Sequence, residues 1–126
     1  MQFTEAVTTA LSKYTDFTGR ARRSEYWYWV LFTCLVGAVF GALISIVGGE
    51  KSILGGLLSW IDGVVTLALL VPSLAAVWRR LHDTGRTGAL FFCIFIPLVG
   101  WILLLVWLCQ DSQPGDNMYG ANPKGQ

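Results

Sequence analysis

Asp62 is the residue in this chain whose chemistry most needs a setting. It is the only charged side chain in residues 52–78, and an unpaired carboxylate in hydrocarbon costs roughly 3 kcal/mol on insertion scales. It therefore needs a hydrogen-bonding partner, neutralisation, or a hydrated path along which an ion or proton moves. At 100° per residue, Gly55, Ser59, Asp62, Thr66 and Ser73 fall within about 60° of one another on a helix, so the small and polar groups of this stretch form one stripe.

A second constellation is basic. Gly19-Arg20-Ala21-Arg22-Arg23 precedes one apolar stretch, and Arg79-Arg80-Leu81-His82-Asp83-Thr84-Gly85-Arg86 follows another. Guanidinium groups present fixed pairs of N–H donors that match phosphate oxygens. If the two segments meet, Arg20, Arg22, Arg23, Arg79, Arg80 and Arg86 become candidate ligands for anionic lipid headgroups, with Glu25 and Asp83 as internal ion-pair partners. The same placement would also arise from membrane orientation alone.

Other chemistry is poorly represented. His82 is the single histidine, with no triad around it, and the chain lacks a phosphate-cradling loop, a dinucleotide fingerprint, a zinc-protease motif and calcium-loop spacing. We therefore expect no catalytic residues, no metal ligands, no cofactor and no enzymatic activity. Cys34, Cys93 and Cys109 are odd in number, lack zinc-ligand spacing and all lie in apolar stretches, so they read as packing residues.

The elements that hold these residues follow from hydropathy. The 126 residues are 54% hydrophobic and 13% charged, a balance outside that of ordinary soluble domains. Residues 26–47, 52–78 and 88–109 are each long enough for a helix to cross a hydrocarbon layer about 30 Å thick. The expected fold is all-α: a polytopic helical membrane protein forming one domain over 1–126. It comprises a cytoplasmic amphipathic and basic segment (1–25), transmembrane helices at 26–47, 52–78 and 88–109, and a polar, turn-rich tail (110–126). Within 1–14, Phe3, Ala6, Val7, Ala10, Leu11 and Tyr14 recur at alternating three- and four-residue spacing, marking a short amphipathic helix on the inner surface or docked on the inner ends of the spans.

Charge sets orientation. Lys13, Arg20, Arg22 and Arg23 before the first span and Arg79, Arg80 and Arg86 after the second face the cytoplasm, whereas the intervening loop has only Lys51 beside Glu50. Tyr26, Trp27, Tyr28, Trp29 and Trp78 suit the inner interface. Three crossings place the tail outside. Pro97 and Gly100 leave open a re-entrant hairpin that returns it to the cytoplasm. Small residues mark helix packing: Gly37 and Gly41 on the first span, Gly55 and Ser59 on the second. A net charge of +1 gives no field for nucleic acid.

The two arginine segments, Pro97-Leu98-Val99-Gly100-Trp101, and the Gly-, Asn- and Pro-rich tail from Asp111 to Pro123 together resemble the small bacterial inner-membrane proteins of domain of unknown function 805, over nearly the whole chain. Thr87-Gly88-Ala89, Met118 and Ala121 depart from the common pattern of that family. The resemblance implies a multi-pass protein of the bacterial inner membrane and brings no catalytic residue with it; the cytoplasmic N-terminus is expected from the charge pattern. The expected role is a structural or interaction component, with the lipid bilayer, anionic phospholipid, a second copy or other membrane proteins as partners. The alternative is a small oligomeric transporter or channel subunit using Asp62.

Overall fold

Two long helices carry the architecture of the computed structural model, which describes residues 2–124. Helix α1 covers Phe3–Ser12, α2 Arg23–Ile46 and α3 Ile53–Asp83; a 3-10 helix at Gly88–Phe95 and helix α4 at Val99–Cys109 complete the set. Among the described residues there is no strand, only an isolated bridge between Asn117 and Gly120.

At 1.5 Å per residue, α2 and α3 measure about 36 and 46 Å, enough to cross a bilayer. Core helices of soluble proteins can be equally apolar, but they are buried. Here the most apolar windows of α2 and α3 are each only 6% buried, and Leu35, Val39, Ile46, Trp60 and Leu67 point outward. Lipid-facing helices have this character. A tight turn joins the pair: Gly48 and Gly49 take positive φ, and Ser52 caps α3 by accepting from the Gly55 amide at 2.9 Å. A Cβ on Gly55 would stand 1.8 Å from the Gly49 carbonyl oxygen, so Gly55 allows the turn to fold back on α3.

Pro72 lies inside α3 and lacks the N–H that would bond the carbonyl four residues earlier. That carbonyl belongs to Ala68, and the Tyr14 hydroxyl donates to it. The chain leaving α1 thus repairs the defect that proline makes in α3. Helix α1 is docked mainly on α2, with Ala6 and Ala10 fully buried and Phe3 packed edge-on against Tyr28. The shared core consists of Ala10, Tyr26, Trp29, Ala76, Leu81, Leu104 and Leu108, all near one end of the molecule.

Three sequence expectations change. Residues 88–109 do not form one transmembrane helix. The 3-10 helix ends at Phe95, Leu98 takes φ 65°, and α4 restarts at Val99. Pro97 supplies no backbone donor, Gly100 packs where a Cβ would be 1.7 Å from the Cys93 carbonyl oxygen, and Trp101 Nε1 donates to the Ile94 carbonyl at 2.7 Å. These contacts close a hairpin. Helix α4, about 16 Å long, is too short to cross. Second, α2 starts at Arg23, and α3 runs through Arg79 and Arg80 to Asp83, so these arginines are helical instead of lying in a loop. Third, Gly37 and Gly41 are exposed, and a Cβ on either would meet nothing within 4 Å. Among the described residues neither is in close contact with another helix.

Candidate functional site

The two arginine segments meet. The Ala21 amide donates to the Arg79 carbonyl at 3.0 Å, and His82 Nδ1 donates to the Gly19 carbonyl at 3.0 Å. Where they meet, Asp83 is fully buried; it accepts from Arg20 Nε at 2.9 Å and from Arg80 Nη1 at 2.8 Å. Arg79 Nη1 donates to Glu25 Oε1 at 2.7 Å, again fully out of solvent. Three guanidinium groups thus face two carboxylates, and backbone carbonyls take up further donors, while Arg79 Nη2 and Arg80 Nη2 are buried without a partner among the described residues. Arg79 Nε bonds the Asp16 carbonyl at 3.1 Å, and Arg80 Nε bonds that of Leu108 at 3.0 Å. Arg79 and Arg80 also sit in the last turns of α3, where the carbonyl end of the helix favours positive charge.

The tail belongs to this site. Arg20 Nη1 donates to the Gly115 carbonyl at 2.9 Å, and its Nη2 donates to that of Gln113 at 2.8 Å. The Gln113 amide bonds the Asp83 carbonyl at 2.7 Å, and the Ser112 hydroxyl donates to the Asp83 carboxylate. Asn117 Nδ2 donates to the His82 carbonyl at 3.0 Å, while the Tyr119 ring stacks on His82 with centroids 3.9 Å apart. Leu108 and Cys109 are held from the other side: Trp27 Nε1 donates to the Leu108 carbonyl at 3.1 Å and Arg23 Nη1 to that of Cys109 at 3.2 Å. The N-terminal arm, the end of α3, the end of α4 and the tail therefore form one polar cap at one end of the α2–α3 pair.

Around this cap the charges are exposed. Arg23 is exposed, and Arg22 and Arg86 are half-buried. Arg86 lies 5.2 Å from the Trp107 ring and bonds Gln110 at 2.7 Å. Lys124 pairs with Asp111 at 2.9 Å, and its hydrogen bond holds that carboxyl below the usual aspartate range. The Thr18 amide and hydroxyl, both bonded to Asp16, hold the Asp16 carboxyl low as well.

Of the six arginines proposed from sequence as headgroup ligands, Arg20, Arg79 and Arg80 are buried inside the protein. This corrects that assignment: their bonded donors go to carboxylates and carbonyls, and their side chains are enclosed by protein. Arg22, Arg23 and Arg86 remain at the surface. Asp62 is half-buried and faces a groove of about 180 Å³ between α2 and α3, lined also by Thr33, Gly37, Thr66 and Ser73. Among the described residues it makes no hydrogen bond or ion pair. Gly55 packs against the turn before α3, and the Ser59 hydroxyl is buried without a protein partner. The three cysteines stay free: Cys34 and Cys109 exposed, Cys93 half-buried. Sequence reasoning missed Ser112, Gln113, Asn117 and Tyr119, and the Tyr14–Ala68 bond. The concentration of turn formers in the tail was their one visible signal.

The fold and cap define a small all-helical protein with two apolar helices long enough to cross a membrane and a polar assembly closed over one end of them. The chain belongs to the family described as Protein of unknown function (DUF805), whose model matches residues 14–121. It is 43% identical over 116 residues to the inner membrane protein YhaI of Escherichia coli K12, covering 92% of each chain. It is 37% identical over 114 residues to the inner membrane protein YhaH of the same strain, covering 90% of this chain and 92% of that one. No solved structure matches.

Proposed function

We propose that this protein resides in a bacterial inner membrane with two crossings, α2 and α3, and that residues 88–109 enter the bilayer from the cytoplasmic side and return to it. Both terminal segments are then cytoplasmic. In this reading the protein is a non-enzymatic structural or interaction component. Its buried arginine cap locks the two membrane helices and the re-entrant hairpin into one unit. One observation carries the reading. Arg20 on the N-terminal arm, Asp83 at the end of α3 and Gln113 in the tail are joined by direct hydrogen bonds, which supports placing all three segments on one side of the membrane. Support comes from the positive residues gathered at that end, against Glu50 and Lys51 at the other, and from relatives that are themselves inner membrane proteins. Reporter fusions after Pro123, tested on both membrane faces, should be active only in the cytoplasm; activity outside would reject the hairpin. Co-purification from native membrane tests the interaction role, and a chain recovered alone at every solubilisation condition would argue against it.

The unpaired Asp62 carboxylate in its groove favours one second reading, a small transporter or channel subunit. Asp62→Asn should then leave insertion intact and lower ion flux in reconstituted vesicles. Equal flux through both proteins would reject this reading.

A further inference from the structure

The first turns of α2 carry two concave surfaces that share Arg23 and Ser24. One, of about 110 Å³, is bounded by Arg22, Arg23, Ser24, Asp111 and Lys124. The other, of about 350 Å³, runs from Arg23 and Ser24 past Trp27 and Tyr28 to Leu31. Positions 24, 27, 28 and 31 follow helical spacing, so they line one face and carry the groove away from the charged end by about 5.4 Å per turn. The groove is polar at one end and apolar along its length.

The two ends differ in what they offer. At the polar end three cations face one carboxylate, and Lys124 already holds Asp111 through both of its oxygens, at 2.9 and 3.1 Å. Arg23 bonds only the Cys109 carbonyl, and no carboxylate among the described residues pairs with Arg22 or Arg23. These guanidinium groups contrast with Arg20, Arg79 and Arg80, each paired to an acid inside the cap. At the apolar end the Trp27 N–H is occupied by the Leu108 carbonyl, so its ring presents only apolar surface to the groove, and Leu31 is exposed beyond it.

We propose that this groove seats one anionic phospholipid, its phosphate on Arg22 and Arg23 and an acyl chain along Trp27, Tyr28 and Leu31. The proposal rests on the reading that this end of α2 meets the membrane interface, and charge complementarity selects the occupant: a zwitterionic lipid brings its own cation to a site that already has an excess of them. A cation at a membrane surface is worth about 1 kcal/mol toward anionic lipid, equivalent to about a five-fold change in preference.

The test uses the full chain reconstituted in phosphatidylcholine vesicles containing a minor fraction of lipid with brominated chains, either phosphatidylglycerol or phosphatidylcholine. Trp27→Phe, measured alongside, isolates the Trp27 fluorescence. Brominated phosphatidylglycerol should quench Trp27 more strongly than brominated phosphatidylcholine. That excess should fall about five-fold for each of Arg22→Gln and Arg23→Gln and persist in Lys51→Gln at the far end of the helix pair. Lys124→Gln, which leaves α2 untouched, should also lower it. Equal quenching by the two lipids in the unaltered protein, or an excess retained through all three cap-side variants, would overturn the proposal. Symmetric vesicles present the same lipids on both faces, so this result does not depend on orientation, and an error in the two-crossing reading appears instead in the reporter fusions.

Discussion

Replacing Asp83 by Asn keeps the shape of the side chain and removes its charge from the centre of the cap. The carboxylate accepts from Arg20 at 2.9 Å and Arg80 at 2.8 Å, with all three side chains 0–1% exposed. An amide retains one acceptor oxygen and turns an NH2 group toward the second arginine, so a donor meets a donor. Removing one member of a buried ion pair costs about 3–5 kcal/mol, because the remaining charge is left uncompensated away from water. Arg20 is also the residue that bonds the carbonyls of Gln113, Gly115 and Gly120. The loss should therefore appear first as release of the tail. Hydrogen exchange in detergent micelles should show amide protection over residues 110–124 falling by about two to four orders of magnitude, with α2 much less affected. Arg20→Gln combined with Asp83→Asn should cost less than the sum of the two single changes. Unchanged protection of the tail in Asp83→Asn would refute the view that this carboxylate joins the N-terminal arm to the C-terminal segment.

Three further outcomes follow from particular contacts. Tyr14→Phe leaves the Ala68 carbonyl without its donor and should lower stability in detergent by about 1–2 kcal/mol; adding Pro72→Ala, which returns a backbone N–H to α3, should recover part of the loss in the same thermal unfolding assay. Gly100→Ala places a Cβ 1.7 Å from the Cys93 carbonyl oxygen, so the hairpin must open, and a protease that leaves the unaltered protein intact should cut within 94–100. The Asp16 carboxyl is held below its ordinary value by the Thr18 amide and hydroxyl. Its contribution is therefore present above the normal aspartate range and disappears as pH falls through the lowered value. Asp16→Asn should lower stability in the neutral region, where the ionised carboxylate contributes, and flatten the acid limb of the stability profile.

The two long helices were legible because residues 26–47 and 52–78 contain no charge except Asp62, and no other common structure hides so much apolar surface without a larger core. The meeting of the two arginine segments was also legible, since both flank apolar stretches on the same expected side. The form of residues 88–109 was not. A re-entrant hairpin and a crossing helix expose the same side chains to hydrocarbon, so composition does not separate them; the difference lies in the backbone at Pro97, Leu98 and Gly100. Burial of Arg20, Arg79 and Arg80 was hidden for a related reason. A count of positive charges treats arginine as surface, and only the placement of Glu25, Asp83 and the tail carbonyls, set by tertiary contacts, shows that these three are enclosed. Gly37 and Gly41 illustrate the reverse case, a close-packing pattern with no close partner among the described residues.

The central claim is that the tail returns to the side of the membrane from which the N-terminal arm starts. It is tested most directly by labelling single cysteines with a membrane-impermeant thiol reagent in a chain whose three native cysteines have been replaced. Met118, 86% exposed in the tail, and Glu50, exposed in the turn between α2 and α3, mark the two ends of the molecule. Met118→Cys should react in inside-out vesicles and Glu50→Cys in right-side-out vesicles. Reaction of both from the same face would contradict the hairpin and the cap built on it.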